Sequence, residues 1–202
     1  MRMDWQKALK TALIMTVISA LWSQGASALV RVSLKTTKGT IVLVLEDEKA
    51  PITSKNFLRY VDSGKLNGAV FFRAMKSDPE YGFIEGGIKT VKFPPIPHES
   101  TIKTGLHHLN GTLSMARFAP GTAASEFVIC VGDMPYMDAT DDKPYTDKEH
   151  DHLGYAAFGH VESGMEVVKS ILHSRTVKKT APGQWRNETL EKPVVIISAK
   201  RL

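Results

Sequence analysis

A single arginine inside a hydrophobic run is the residue of this sequence best suited to chemistry. Arg73 follows Phe71 and Phe72 in a short segment whose composition favours a strand. A guanidinium stays protonated and presents planar donors, so a fixed one can bind a carbonyl oxygen or another polarised group. The alternative is a structural arginine whose stem packs on the protein and whose head forms an ion pair. The residue type alone leaves both interpretations open.

A second segment, residues 111–133, places an unusual loop between two apolar strands. The middle of this segment, residues 119–125, consists only of alanine, proline, glycine, threonine and serine. Small residues allow a ligand or another backbone to approach closely. The segment therefore predicts the floor of a shallow groove.

These segments and several others resemble the cyclophilin-type peptidyl-prolyl cis-trans isomerases. The family's F-x-R strand, its Q-G-G segment and its long groove segment correspond, in altered form, to Phe71-Phe72-Arg73, Glu85-Gly86-Gly87 and residues 115–129. Residues 155–161 and 164–168 are similar to its late strand and helix, and residues 192–200 to the ending of exported bacterial members. The match runs in order from about residue 30 to residue 202.

The resemblance implies an enzyme that rotates X–Pro bonds in proline-containing polypeptides. Amide resonance gives this rotation a barrier of about 18–20 kcal/mol, and no covalent bond has to be broken to lower it. Arg73 matches the family's catalytic arginine, which would stabilise the twisted imide. The resemblance implies no cofactor and no metal.

The resemblance also implies the binding residues. Phe83, Met115, Val128 and Met137 would form the apolar pocket that seats proline. Ala116 and Arg117 match the strand edge that aligns the substrate backbone, with arginine in place of the usual asparagine.

Several departures from the family pattern fall on this face. Glu85 and Glu126 stand where the family commonly has glutamines that orient its arginine, so they would hold Arg73 by charge-assisted hydrogen bonds. Val128 replaces the usual phenylalanine, which predicts a wider and shallower site. Tyr136 stands near the family's tryptophan, which often contributes to cyclosporin binding, and Tyr155 near its histidine. We therefore expect weak cyclosporin binding.

The pattern of apolar residues predicts a mainly β fold. A first strand is expected from residue 30, and a second follows a turn near residue 39. Further strands are expected at residues 70–74, 83–88, 112–117, 127–131, 155–161 and 194–200. Helices are expected at residues 51–61 and 165–173. This order lacks the βαβ alternation of a parallel sheet, so it favours an antiparallel sheet that closes on itself. The resemblance implies a closed eight-stranded antiparallel barrel capped by two α-helices.

The N-terminus predicts export. Residues 1–28 combine a basic start, a short apolar segment and small residues before a cleavage site, as in a secretory signal peptide. The alternative is an uncleaved anchor, but the apolar segment is shorter than the roughly 20 residues of a membrane span. We expect cleavage after Ala28, and a periplasmic domain, residues 29–202, that is not bound to a membrane.

The remaining signals limit the possible partners. A net charge of +5 without a clustered basic patch does not indicate nucleic acid. Cys130 is the single cysteine, so the chain forms no internal disulfide, and its apolar neighbours predict burial. No long apolar stripe indicates obligate association, so a monomer is expected. The acidic loop 138–152 lacks metal-ligand spacing and is interpreted as a solvated loop that rims the groove and favours basic substrates.

Two functions of different class remain open from the sequence. The first is an exported isomerase that assists protein folding. The second is a proline-peptide binding module or holdase chaperone, which keeps the fold and loses turnover because Glu85, Glu126, Val128 and Arg117 alter the groove together. A structural domain that docks onto an envelope assembly is a third, minor interpretation.

Overall fold

The computed structural model describes residues 29–88, 93–141, 152–178, 181–183 and 185–202. Its strands are β1 (Val30–Thr36), β2 (Gly39–Leu45), β3 (Val70–Asp78), β4 (Tyr81–Gly87), β5 (Thr112–Met115), β6 (Phe127–Val131), β7 (Ala156–Ser163) and β8 (Thr189–Arg201). All neighbouring strands are antiparallel and close a barrel in the order β1-β2-β7-β5-β6-β4-β3-β8. The mainly β, closed eight-stranded barrel expected from the sequence is confirmed.

Two helices cover the barrel through their apolar faces. The helix α1 (Pro51–Asp62) begins at a proline, which suits a first helical turn because its missing N–H is not needed there. Phe57 of α1 packs edge-to-face on Phe127 of β6, with ring centroids 5.2 Å apart. The later helix, Met165–Leu172, buries Val168, Ile171 and Leu172 in the same core. Both helices therefore belong to one hydrophobic core with the barrel interior.

Several element bounds differ from the sequence prediction; strand β3, for example, ends at Asp78 rather than at Ala74. A single helical turn, α2 (Thr101–Thr104), was not predicted, and the later helix is therefore α3. Strand β5 ends at Met115, two residues before the predicted end, because the chain turns into the small-residue loop. Strand β8 begins at Thr189 rather than 194, since it also pairs with Arg73 of β3.

The predicted signal peptide, residues 1–28, lies outside the described residues, as do residues 142–151 of the acidic loop. No helix among the described residues is both long and apolar enough to cross a membrane.

Candidate active site

A β-bulge turns Arg73 toward the outside of the barrel. The register of β3 shifts between Phe71 and Arg73 against both of its neighbours, β4 and β8. Phe71 and Ala74 both lie in the barrel core, three residues apart, which regular alternation does not allow. The extra residue leaves Phe72 and Arg73 together on the outer face. Bulges commonly re-aim a side chain in this way.

Arg73 lies at one side of an open groove of about 310 Å³ on the outer faces of β3, β4 and β6. The structure brings nearly all of the sequence-predicted site residues to this groove: Arg73, Phe83, Glu85, Ala116, Arg117, Glu126, Val128, Tyr136, Met137 and Tyr155. Met115 is the exception. It is 1% exposed and packs in the barrel core with Leu113, because alternation along β5 sends both side chains inward.

The groove floor is a small apolar cluster separate from the barrel core. Val128, Cys130 and Met137 are buried in it, and Phe83 and Tyr155 pack against it. The cluster forms because residues of β6 alternate: Phe127 and Ile129 enter the barrel core, whereas Val128 and Cys130 face outward. Burial raises the pKa of the Cys130 thiol to about 12, so this cysteine stays protonated at neutral pH.

Two carboxylates and two aromatic rings hold the Arg73 guanidinium. Its Nη1 donates to Glu85 Oε2 at 2.9 Å and its Nε to Glu188 Oε2 at 2.7 Å. Its central carbon lies 5.1 Å from the ring centre of Phe83 and 4.3 Å from that of Trp185. Nη2 has no hydrogen-bond partner among the described residues. Among the described residues, Nη2 is therefore the guanidinium nitrogen left to donate to a ligand in the groove.

Glu85 is a buried carboxyl with an unusual charge environment. Burial raises its pKa, the ion pair with Arg73 opposes that rise, and the charges of Glu126 and Glu188 add to it. The net pKa lies above the usual glutamate value. The side chain is only 8% exposed, so the loss of solvation outweighs the pairing.

The opposite wall is fixed by Arg117. Its Nε and Nη2 donate to the carbonyl of Gly154, and its guanidinium lies 5.1 Å from the ring centre of Tyr155. The Tyr155 amide donates to Met137 O at 2.9 Å. A Cβ atom at position 154 would lie 2.5 Å from Met137 O, so the close approach of the two segments requires glycine there. Arg117 therefore supports Tyr155, and the hydrogen bond between Tyr155 and Met137 places these two residues side by side on the groove.

Comparisons with known proteins identify the family of this chain. The family model described as cyclophilin type peptidyl-prolyl cis-trans isomerase/CLD matches residues 31–201. The chain belongs to this cyclophilin-type family. A peptidyl-prolyl cis-trans isomerase A of Dickeya dadantii is 36% identical over 199 residues, covering 96% of this chain and 94% of the relative. A relative from Acinetobacter baylyi, also 36% identical, covers 89% of each chain.

The fold is shared with solved cyclophilins. A cyclophilin-type isomerase of Cryptosporidium parvum superposes with a TM-score of 0.68 at 20% identity, covering 87% of this chain and 98% of that one. A second structure of that protein, in the presence of the dipeptide Ala-Pro, superposes with a TM-score of 0.66.

Some residues at the groove of this cyclophilin-type chain were not predicted as site residues: Trp185 and Phe118 line it, and Glu188 binds Arg73 from the connection before β8. The small-residue loop that the sequence predicted at the groove contributes Thr122, Ala124 and Ser125 to its lining. Phe118 is 91% exposed. One sequence signal was available for Trp185, since it is the only tryptophan after residue 28 and stands in a polar segment. No local signal marked Glu188.

A buried hydrogen-bond chain lies behind the groove. His108 Nδ1 pairs with Asp138 Oδ1 at 2.5 Å, and His108 Nε2 lies 2.8 Å from Ser114 Oγ. Burial lowers the pKa of His108 despite the neighbouring Asp138, because desolvation disfavours the protonated ring. The order of groups is that of a Ser-His-Asp triad, but Ser114 is fully buried and reaches no ligand. These hydrogen bonds instead connect Asp138, the residue after Met137, to Ser114 of β5.

The acidic loop supplies no metal site among its described residues. At its two ends, Thr140 N donates to His152 O at 2.9 Å. No group of three or more histidine, cysteine or carboxylate residues able to hold a metal occurs in the described part of the chain. The expectation that this loop favours basic substrates depends mainly on residues 142–151, which lie outside the described residues.

Proposed function

We propose that this chain accelerates cis–trans rotation of X–Pro bonds in exported polypeptides while they fold. The observation that carries the proposal is the setting of Arg73, a guanidinium whose Nη2 has no partner among the described residues and which lies beside an apolar groove floor. Two relatives named as peptidyl-prolyl cis-trans isomerases are 36% identical to this chain, and the matches cover 94% and 89% of their lengths. The Cryptosporidium protein studied with Ala-Pro supports a proline peptide as the ligand of this groove.

In this proposal the groove divides the work between an apolar pocket and a charged edge. Phe83, Val128 and Met137 seat the proline ring, and the backbone at Ala116 and Arg117 aligns the peptide. Arg73 Nη2 then donates to the imide group as it twists out of conjugation. A rate gain of about 10⁵ requires roughly 7 kcal/mol of stabilisation that exists only in the twisted state. A preorganised guanidinium beside an apolar groove floor is suited to supply part of it.

The test is NMR exchange on a panel of X–Pro peptides with wild type, Arg73→Ala and a matched control, Arg31→Ala. Arg31 also lies on a barrel strand and pairs with Glu162, but it is not part of the groove lining. We expect wild type and the control to catalyse exchange and Arg73→Ala to lose about 10²-fold, as when an oxyanion donor is removed. Wild-type rates in a folded Arg73→Ala protein would overturn the assignment.

The second candidate, a proline-peptide binding module or holdase, is favoured by one observation. Two carboxylates already occupy Nε and Nη1 of Arg73, so its charge is largely neutralised in the free protein. The same NMR spectra separate the two functions. A binding module would show peptide-induced shifts without accelerated exchange.

The location is part of the proposal. We expect residues 1–28 to be removed on export, leaving residues 29–202 as a periplasmic monomer that needs no cofactor. Protein sequencing of periplasmic material should begin at Leu29, and light scattering should give the mass of one chain. Recovery of the intact N-terminus in the membrane fraction would contradict the export proposal.

A further inference from the structure

Residues 185–188, here called the 185–188 turn, bring the connection before β8 against the reactive side of the groove. Trp185 lies 4.3 Å from the Arg73 guanidinium carbon, and Glu188 binds Arg73 Nε. Trp185 also lines the groove. The remaining aromatic and acidic neighbours of Arg73, Phe83 and Glu85, come from the adjacent strand β4. The turn therefore supplies one of the two aromatic rings and one of the two carboxylates that surround the Arg73 guanidinium, and β4 supplies the others.

The turn is held rigidly by the backbone. The amides of Glu188 and Thr189 donate to Trp185 O at 3.2 and 3.0 Å, and Trp185 N donates to Thr189 Oγ1 at 2.9 Å. Asn187 has a φ of 62°, a left-handed conformation that asparagine tolerates better than most residues. Ala74 N donates to Glu188 O at 2.8 Å, which ties the turn to the residue after Arg73.

The two acids bind different parts of the guanidinium. Glu85 accepts from Nη1 and Glu188 from Nε, so their two hydrogen bonds fix the rotation of the guanidinium plane. Glu85 alone would leave the group free to pivot about that single contact. With both acids in place, the remaining donor, Nη2, has a defined direction.

Trp185 also has a solvent-exposed surface besides its contact with Arg73. Its ring stacks on Phe72 at a centroid distance of 6.4 Å and an interplanar angle of 19°, and it is still 42% exposed. An indole that both contacts the cation and borders the groove offers an apolar wall beside the reacting imide. Aromatic walls of this kind add binding energy to apolar groups that pack on them.

We infer that the 185–188 turn is part of the active groove: Glu188 is a positioning residue for Arg73, and Trp185 contacts the bound proline peptide. This inference rests on the proposed isomerase function for its kinetic consequence. Its structural consequences, the order of Arg73 and the contact of Trp185 with peptide, are independent of turnover.

The kinetic experiment compares Glu188→Ala, Glu188→Gln and a matched control, Glu191→Ala, by NMR exchange at several peptide concentrations. Glu191 is an exposed glutamate of β8 outside the groove. Because misplacement of a catalytic group costs turnover, we expect Glu188→Ala to lower kcat about tenfold with little change in KM. Glu188→Gln, which keeps an acceptor for Nε, should recover most of the loss, and the control should match wild type.

The spectroscopic experiment uses a full-length chain carrying Trp5→Phe and Trp22→Phe, in which Trp185 is the single tryptophan. Titration with an Ala-Pro peptide should change its fluorescence, and Trp185→Leu should weaken peptide binding about fivefold, as expected for the loss of an aromatic contact. In the same protein, the Arg73 Nε–H signal should be protected from solvent exchange and lose that protection in Glu188→Ala.

The outcomes separate the two ideas. If wild type catalyses exchange and Glu188→Ala and Trp185→Leu behave like wild type, the inference is overturned and the isomerase function stands. If wild type binds peptide without turnover, the function fails, and the inference is judged by the fluorescence change and the Nε–H protection alone. Unchanged fluorescence on peptide binding, or an unprotected Nε–H in wild type, would overturn it.

Discussion

At the scale of single residues, Arg73 is subject to two opposing requirements. It must be held still to aim a donor, and carboxylates do this well, but each carboxylate also neutralises charge that the twisted imide would use. Glu85 and Glu188 place two anions within 3 Å of one cation. Burial raises the pKa of Glu85 even beside Arg73, because desolvation disfavours its charged form.

The substitution Glu85→Gln tests that electrostatic account. A raised pKa means that Glu85 stabilises the fold most below its ordinary pKa and that this contribution is lost as pH rises through the folded-state value. The free energy of unfolding of Glu85→Gln, relative to wild type, should therefore increase with pH above about 4.3 and then level off. Urea denaturation at a series of pH values measures the difference, with Glu191→Gln as the exposed control. A difference that falls with pH would contradict the raised pKa.

Tyr136 is the residue to vary for cyclosporin. It borders the groove, is 61% exposed, and stands near the family's tryptophan position. We propose that wild type binds cyclosporin weakly because the smaller ring offers less apolar contact. Tyr136→Trp should tighten inhibition about fivefold, the equivalent of about 1 kcal/mol of added aromatic contact. Equal inhibition constants for the two proteins would remove Tyr136 as the cause.

At the scale of elements, the sequence was most informative where a strand is governed by its own residues. Strand β6 has the predicted bounds, Phe127–Val131, because a short apolar run between polar turns has few other structures open to it. The resemblance then placed Arg73, Phe83, Val128 and Tyr155 on one face, and they share the groove.

The errors arise where two distant segments decide the outcome. The bulge in β3 depends on pairing with both β4 and β8, and Glu188 reaches Arg73 only because β8 closes the barrel. A sequence pattern contains no signal for such long-range pairing. Met115 is a different case: its alternation with Ser114 pointed to the core, and the resemblance to the family's pocket wall outweighed that signal.

The hydrogen-bond chain of His108 links two elements and predicts a pH dependence. Its lowered pKa means that the neutral ring stabilises the fold above pH 6.5 and that this contribution is lost as pH falls through the folded-state pKa. The groups facing the ring are Asp138, His107 and Ser114. The free energy of unfolding of wild type should fall between about pH 7 and pH 5, the range of histidine titration.

His108→Gln should remove most of that slope while lowering stability at pH 7 by about 1–2 kcal/mol, since it weakens buried hydrogen bonds. Exposed His160 supplies the control, His160→Gln, which should keep the wild-type slope. An undiminished slope in His108→Gln would assign the pH dependence to another group.

At the scale of the whole molecule, the two faces of strand β6 have different roles: the inner face belongs to the barrel core, and the outer face forms part of the groove floor. Phe127 points inward and packs edge-to-face on Phe57 and Phe71, with centroid distances of 5.2 and 5.7 Å. Its neighbour Val128 points outward into the groove floor. Since both faces belong to β6, substitutions at adjacent positions should have effects of different kinds.

Phe127→Ala should cost about 3–5 kcal/mol of unfolding free energy, because it leaves a cavity at the centre of the core. Val128→Phe should instead change binding: the larger side chain fills a shallow floor and should lower KM for proline peptides about fivefold, the equivalent of about 1 kcal/mol of additional apolar contact. Urea denaturation and NMR exchange on both variants provide the two measurements. The separation fails if Val128→Phe destabilises the barrel as much as Phe127→Ala, since the groove floor would then be a continuation of the core rather than a surface that the core supports.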